Sequence, residues 1–139
     1  MGERNFNMRL KCRYQGDTNE VDRLDVEHRV EDEWVSLDMG LASPGFDIFV
    51  YSIFTCQHRF FRVVCAERQL LLESAEGSIT ISADKDWHME TLRVHFSGQL
   101  SAGHVSADDI EAVVSRMQQC PVSRNLAAIP HAETTVSLA

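Results

Sequence analysis

The segment PGFDIFVYSIFTCQHRFFRVVCAERQ (44–69) limits what this chain can fold into more than any other. Ser43 is a cap-type residue, and Pro44 suits the first helical position, where its missing N–H would have had no partner. Phe46, Phe49, Val50, Ile53, Phe60 and Val64 recur on one side at helical spacing, while the first half is apolar nearly all round. The spacing predicts one helix of about 22 to 26 residues ending near Gln69, about 33 to 39 Å long at the α-helical rise. Such a helix needs cover on several sides.

The flanks read as strands. In FNMRLKCRYQ (6–15), Phe6, Met8, Leu10, Cys12 and Tyr14 share one face. Gly16-Asp17-Thr18-Asn19 is turn chemistry, and RLDVEHRV (23–30) and EWVSLDM (33–39) add two alternating runs around the hinge Glu31-Asp32, giving three short antiparallel strands. After the helix, EGSITISAD (76–84) and METLRVHFSG (89–98) form a second strand pair joined at Lys85-Asp86-Trp87-His88. Ser106-Ala107-Asp108-Asp109 opens an amphipathic helix with Ile110, Val113, Val114 and Met117 as its stripe, the two aspartates lying where the helix dipole favours negative charge. That helix ends at Cys120; 121–129 can form a short helix and 134–139 a last strand. Grouped strands and helices make an α+β domain. About six short strands are too few to cover the long helix, so a homodimer with a large buried interface is expected.

At 139 residues and 44% apolar content, residues 1–139 are expected to form one domain with a hydrophobic core. The start has no apolar run of signal-peptide length, and no stretch is long enough to span a membrane, so a cytoplasmic protein is expected. A net charge of −8 without a basic cluster argues against nucleic acid. Four cysteines without CxxC spacing, and six histidines without HxH, HxxxH or HExxH, suggest neither a zinc site nor a disulfide scaffold.

Two thiols stand out. On a helical wheel begun at Phe46, Cys56 falls at roughly 280°, beside Phe49, Phe60 and Val63, whereas Cys65 falls at roughly 100°, on the opposite side. Cys56 therefore borders the apolar stripe at mid-helix, where a thiol can meet an apolar substrate, and Arg59 one turn on would favour its thiolate. A helical cysteine among apolar neighbours is also an ordinary small core residue. Cys120 precedes Pro121, which suits the first turn of a new helix, so unpaired backbone N–H groups would point toward the sulfur and stabilise a thiolate. Cys-Pro can equally be plain punctuation at a helix joint.

With these segments in view, the chain resembles the OsmC/Ohr family of thiol-dependent hydroperoxide reductases. SPGFDIFVYSIFTC (43–56) is similar to the family's Pro-led central helix ending in its first cysteine, and AVVSRMQQCPVSRNL (112–126) to its second-cysteine segment. The 64-residue interval from Cys56 to Cys120 is the family's usual one, and with the strand order the resemblance covers about residues 6 to 139. It implies an OsmC-like fold in which two subunits interlock, strands wrapping the paired long helices, with active sites at the interface of a homodimer. It also implies a peroxidatic role for Cys56 and a resolving role for Cys120, so that a sulfenic acid on the first condenses with the second to a disulfide. The substrate implied is an organic or fatty-acid hydroperoxide, and the reductant a dithiol such as a lipoyl group, with no cofactor and no metal.

The chain departs from the pattern at two places. Gly45 follows Pro44 where the hydroperoxide-resistance branch has a Glu, leaving Asp47 as the nearest acid, and neither Arg13 nor Arg23 sits in the family's arginine context. These departures point to a divergent branch. They also keep open a non-catalytic protein of the same fold, binding a small apolar ligand or partner in the interface pocket, and, further off, a metal-binding or unrelated α+β protein. Cys12 and Cys65 match nothing in the family and are read as packing residues.

Overall fold

Residues 4–126 and 129–139 are described by the structure, a computed structural model. The alternation of the first segment becomes strand β1, Arg4–Gln15, with Met8, Leu10, Cys12 and Tyr14 buried and Arg9, Lys11 and Arg13 turned to the other side. β2 (Glu20–Val30) and β3 (Glu33–Ser36) extend the sheet on one side of β1; β4 (Leu71–Ala83), β5 (Met89–Ala102) and β6 (His131–Leu138) extend it on the other. The order is β3-β2-β1-β4-β5-β6. Neighbours are antiparallel except β5 and β6, whose parallel pairing requires the crossover that the second helix provides.

β4 begins five residues earlier than the alternation of 76–84 indicates. Leu70, Leu71 and Leu72 in succession hide the period, and register shifts between Leu71 and Ser74 absorb them. The short helix expected over 121–129 is a single 3-10 turn, Ser123–Asn125, and residues 127 and 128 of that range lie outside the described residues.

Helix α1 runs from Gly45 to Glu67, 23 residues or about 35 Å. Pro44 stands at its cap position, one place before the first helical residue, and the Ser43 hydroxyl accepts from the Gly40 N–H instead of capping the helix. The buried face is centred on Val50, Ile53, Phe54, Phe61 and Val64, whereas Phe46, Phe49 and Phe60 are half-buried. Phe46 and Phe49 are taken by a separate aromatic cluster at the helix start, where Phe46 lies 4.6 Å from Phe6 and 5.2 Å from Trp87, centroid to centroid. At the centre of the core, the Phe96 ring meets Phe61 at 4.9 Å, His58 at 5.5 Å and Phe54 at 5.7 Å. Each large apolar side chain fully buried here contributes about 2 kcal/mol of transfer free energy.

Helix α2 (Ala107–Gln118) starts with a capping box: Asp109 N–H donates to the Ser106 hydroxyl and Ser106 N–H to the Asp109 carboxylate. The same carboxylate pairs with Arg68 at 2.6 Å, tying the start of α2 to the end of α1. Val113 and Met117 bury the other face, and α2 lies across α1 and β6.

α1 lies over β4, flanked by β1 and β5, and leaves β2 and β3 overhanging. Leu24 stands opposite Cys12, and Val35 opposite His28, which itself stands opposite Met8, so all point to the helix side of the sheet. On this overhang Leu24, Val30 and Val35 remain 39 to 42% exposed. Among the described residues no helix is long and apolar enough to cross a membrane.

Candidate active site

Cys56 lies half-buried at the middle of α1, followed by Gln57 and His58, both buried. Cys120 lies two residues past the end of α2 and is fully buried. Its backbone is held from both sides: its N–H donates to the Met117 carbonyl and its carbonyl accepts from Arg124 N–H at 2.9 Å. Pro121 cannot continue the helix, and the chain folds at once into the Ser123–Asn125 turn, which Asn125 closes by donating to the Pro121 carbonyl.

This joint sets the Cys120 side chain close enough to Cys56 to act on its thiol. Burial, and after it the Cys120 side chain, push the Cys56 thiol up to about 11; negative charge on Cys120 acts in the same direction and the Val122 backbone in the opposite one. The expected lowering by Arg59 is therefore not seen: apolar surroundings govern the thiol, and no guanidinium among the described residues offsets them. Arg13 and Arg23 stand opposite one another on the far face of the sheet, where they line a cleft of about 390 Å³ with Lys11, Asp25 and Glu76. Arg13 points there because its neighbours Cys12 and Tyr14 point to the core. Asp47, in the first turn of α1, is likewise not among the groups acting on Cys56.

Around Cys120 the structure assembles polar groups that the sequence reading missed. The Cys120 sulfur is 3.1 Å from the Ser123 hydroxyl and accepts from Ser123 N–H at 3.4 Å. Gln57 Nε2 donates to the same hydroxyl at 3.0 Å, and the Thr134 hydroxyl of β6 donates to Gln57 Oε1 at 3.0 Å. Gln57 lies at roughly 20° on the helical wheel, inside the apolar stripe, and a buried amide among phenylalanines is the signal that marks it. Ser123 and Thr134 carried no such signal. A cavity of about 270 Å³ adjoins this chain of groups, walled by Leu92, Leu126 and Ala132 with Arg124 at its edge. On the other side, Phe60 and Pro121 border an open cleft of about 540 Å³ that also includes Arg116 and Arg124.

Cys12 and Cys65 are buried, and burial raises both thiols, Cys65 to about 12. They pack within the core cluster, as the packing reading holds. Asp84, Asp86 and His88 bring three potential metal ligands within 4.8 Å of one another at the β4–β5 turn. Asp84 already accepts the N–H groups of Asp86 and His88, which is the hydrogen-bonding pattern of a tight turn.

Neither a protein-family model nor a curated protein sequence matches the chain. Its structure is similar to that of an OsmC-like hydroperoxide resistance protein from a Jannaschia species, with a TM-score of 0.59 and 13% identity over 88% of this chain and 87% of that one. It is also similar to an OsmC-like protein from Mycoplasma pneumoniae (0.53, 12%, 83% and 87%) and to an OsmC-like protein of unknown function from Vibrio cholerae (0.51, 10%, 92% and 96%). Likeness at such identities speaks for the fold.

Proposed function

We propose that this chain, which has the OsmC-like fold, is a thiol-dependent reductase of organic hydroperoxides in which Cys56 is the peroxidatic and Cys120 the resolving cysteine. The observation that carries the proposal is the meeting of these two thiols, one half-buried on α1 and one buried past α2, from positions 64 residues apart. In the reaction, the Cys56 thiolate attacks the distal peroxide oxygen, the O–O bond breaks, the alcohol leaves with a proton, and Cys56 becomes a sulfenic acid. The Cys120 thiolate then attacks that sulfur and expels hydroxide, leaving a disulfide. A dithiol donor, such as a lipoyl group, returns the two electrons. The apolar flank of Cys56 suits organic over inorganic peroxide.

The working unit is a homodimer. Its support is the overhang of β2 and β3, whose exposed Leu24, Val30 and Val35 extend the apolar face beyond the chain's own helix. A second copy of α1 fits that description, being apolar nearly all round. The protein acts in the cytoplasm, where thiols start reduced, without metal, nucleic acid or membrane.

The test is consumption of cumene hydroperoxide in the presence of dithiothreitol. Wild type turns over and Cys56→Ser does not, whereas Cys120→Ser, treated with hydroperoxide before any dithiothreitol is added, consumes one equivalent and stops at a sulfenic acid without forming a disulfide. Equal consumption by Cys56→Ser and wild type contradicts the assignment.

The raised Cys56 thiol, with no arginine among the described residues offsetting it, favours a second reading: a non-catalytic protein of this fold that binds a small apolar ligand or partner. Slow labelling of Cys56 by iodoacetamide near neutral pH in the assembled protein supports this second reading, and rapid selective labelling supports the reductase.

A further inference from the structure

Resting on the reductase reading, we infer that Thr134, Gln57 and Ser123 form a positioning relay that makes Cys120 the leaving thiolate when the Cys56–Cys120 disulfide is reduced. The relay joins three parts of the fold. Thr134 comes from β6, Gln57 from α1 and Ser123 from the turn after α2, and both the amide and the threonine are buried. Thr134 donates to Gln57 Oε1, which fixes the amide so that Nε2 donates to the Ser123 oxygen. With that oxygen accepting from Gln57, the Ser123 proton is free for the sulfur 3.1 Å away. A Cys120 thiol donates to the hydroxyl; a Cys120 thiolate accepts from it and from Ser123 N–H.

In thiol–disulfide exchange the better-stabilised thiolate leaves, and the accessible sulfur is attacked. Both criteria select the same direction. Cys56 is half-buried and Cys120 fully buried, so an incoming thiolate meets Cys56. That thiolate forms a mixed disulfide with Cys56, the S–S bond breaks, and its electron pair stays on Cys120. The second thiolate of the dithiol donor attacks its own sulfur of the mixed disulfide, closes a ring disulfide and releases Cys56, which takes up a proton. Two electrons pass from the donor to the pair.

The experiment starts from protein oxidised with diamide, so it does not depend on peroxide chemistry. Reduction by dithiothreitol is followed by stopped-flow thiol titration. Losing one hydrogen bond to a thiolate is expected to slow Ser123→Ala about tenfold, while Ser123→Thr, which keeps the hydroxyl, stays within about twofold of wild type. Limited treatment with 2-mercaptoethanol, quenched with acid, should leave the mixed disulfide on Cys56 in a peptide map. An unchanged rate in Ser123→Ala, or the adduct on Cys120, overturns the relay. Failure of hydroperoxide to form the disulfide that diamide forms would instead count against the reductase reading alone.

Discussion

Tyr14 Oη and His58 Nε2 share a hydrogen bond of 2.7 Å inside the core, joining β1 to α1 two residues from Cys56. Burial first, and the charge of Arg62 second, lower the His58 pKa to about 4. Burial also raises the Tyr14 hydroxyl well above its ordinary range, so the pair is neutral at pH 7. Between pH 6.5 and 4 the unfolded chain binds a proton at this histidine that the folded chain does not, so stability falls as pH falls through that window. The loss is about 3 kcal/mol at one pKa unit per 1.4 kcal/mol. Urea denaturation at pH 7 and pH 4.5 measures it, and His58→Gln should flatten the dependence in this range.

Asn19 turns the β1–β2 connection in a left-handed conformation, φ 53°, and is fully buried. Its amide nitrogen donates to the carbonyls of Arg62 and Leu70, and its oxygen accepts from Leu72 N–H. Asn19→Ala removes all three bonds and leaves buried backbone groups unpaired, so a loss of about 3 kcal/mol is expected in urea denaturation. Asn19→Asp keeps the acceptor for Leu72 N–H but sets a carboxylate oxygen against the carbonyls of Arg62 and Leu70, so it should also be strongly destabilising at neutral pH.

Gly77 faces Phe96 across the β4–β5 pair, and a Cβ on it would come 2.5 Å from the ring. Gly77→Ala forces Phe96 out of its contacts with Phe54, Phe61 and His58. Overpacking of this kind costs about 1 to 3 kcal/mol, which thermal denaturation reads as a lowered Tm. Pairing Gly77→Ala with Phe96→Leu should recover part of the loss.

The apolar overhang gives a prediction about assembly. Sedimentation at tens of micromolar, a range where a specific interface of ordinary size is occupied, should give twice the mass of the chain. Replacing Val30 and Val35 together by glutamate should shift the protein toward monomer, because charge would then have to be buried. A wild-type monomer across that range contradicts the dimer.

How far the sequence could be read depended on the range of the interactions. The alternation of Met8, Leu10, Cys12 and Tyr14 is a local period and became β1, and Ser106 followed by Asp108 and Asp109 marked the start of α2, where the structure adds the reciprocal capping box. The long helix was equally legible, but not its buried centre: which side of an almost wholly apolar cylinder meets the sheet is decided by the strands, and Phe46 and Phe49 went to a cluster with Phe6 and Trp87. The resemblance singled out Cys56 and Cys120. The groups around them come from distant positions, Ser123 lying 66 and Thr134 77 residues from Gln57, and no local pattern encodes such a meeting. The arginine question shows the same limit, since the alternation that buries Cys12 and Tyr14 also turns Arg13 away from Cys56.

The central claim is most directly tested by mapping the disulfide after one equivalent of cumene hydroperoxide. The account predicts that each chain loses two hydrogen atoms, that a single cross-link joins the peptides containing Cys56 and Cys120, and that Cys12 and Cys65 can still be alkylated once the chain is unfolded. Four free thiols after treatment, or a cross-link made through Cys12 or Cys65, would contradict it.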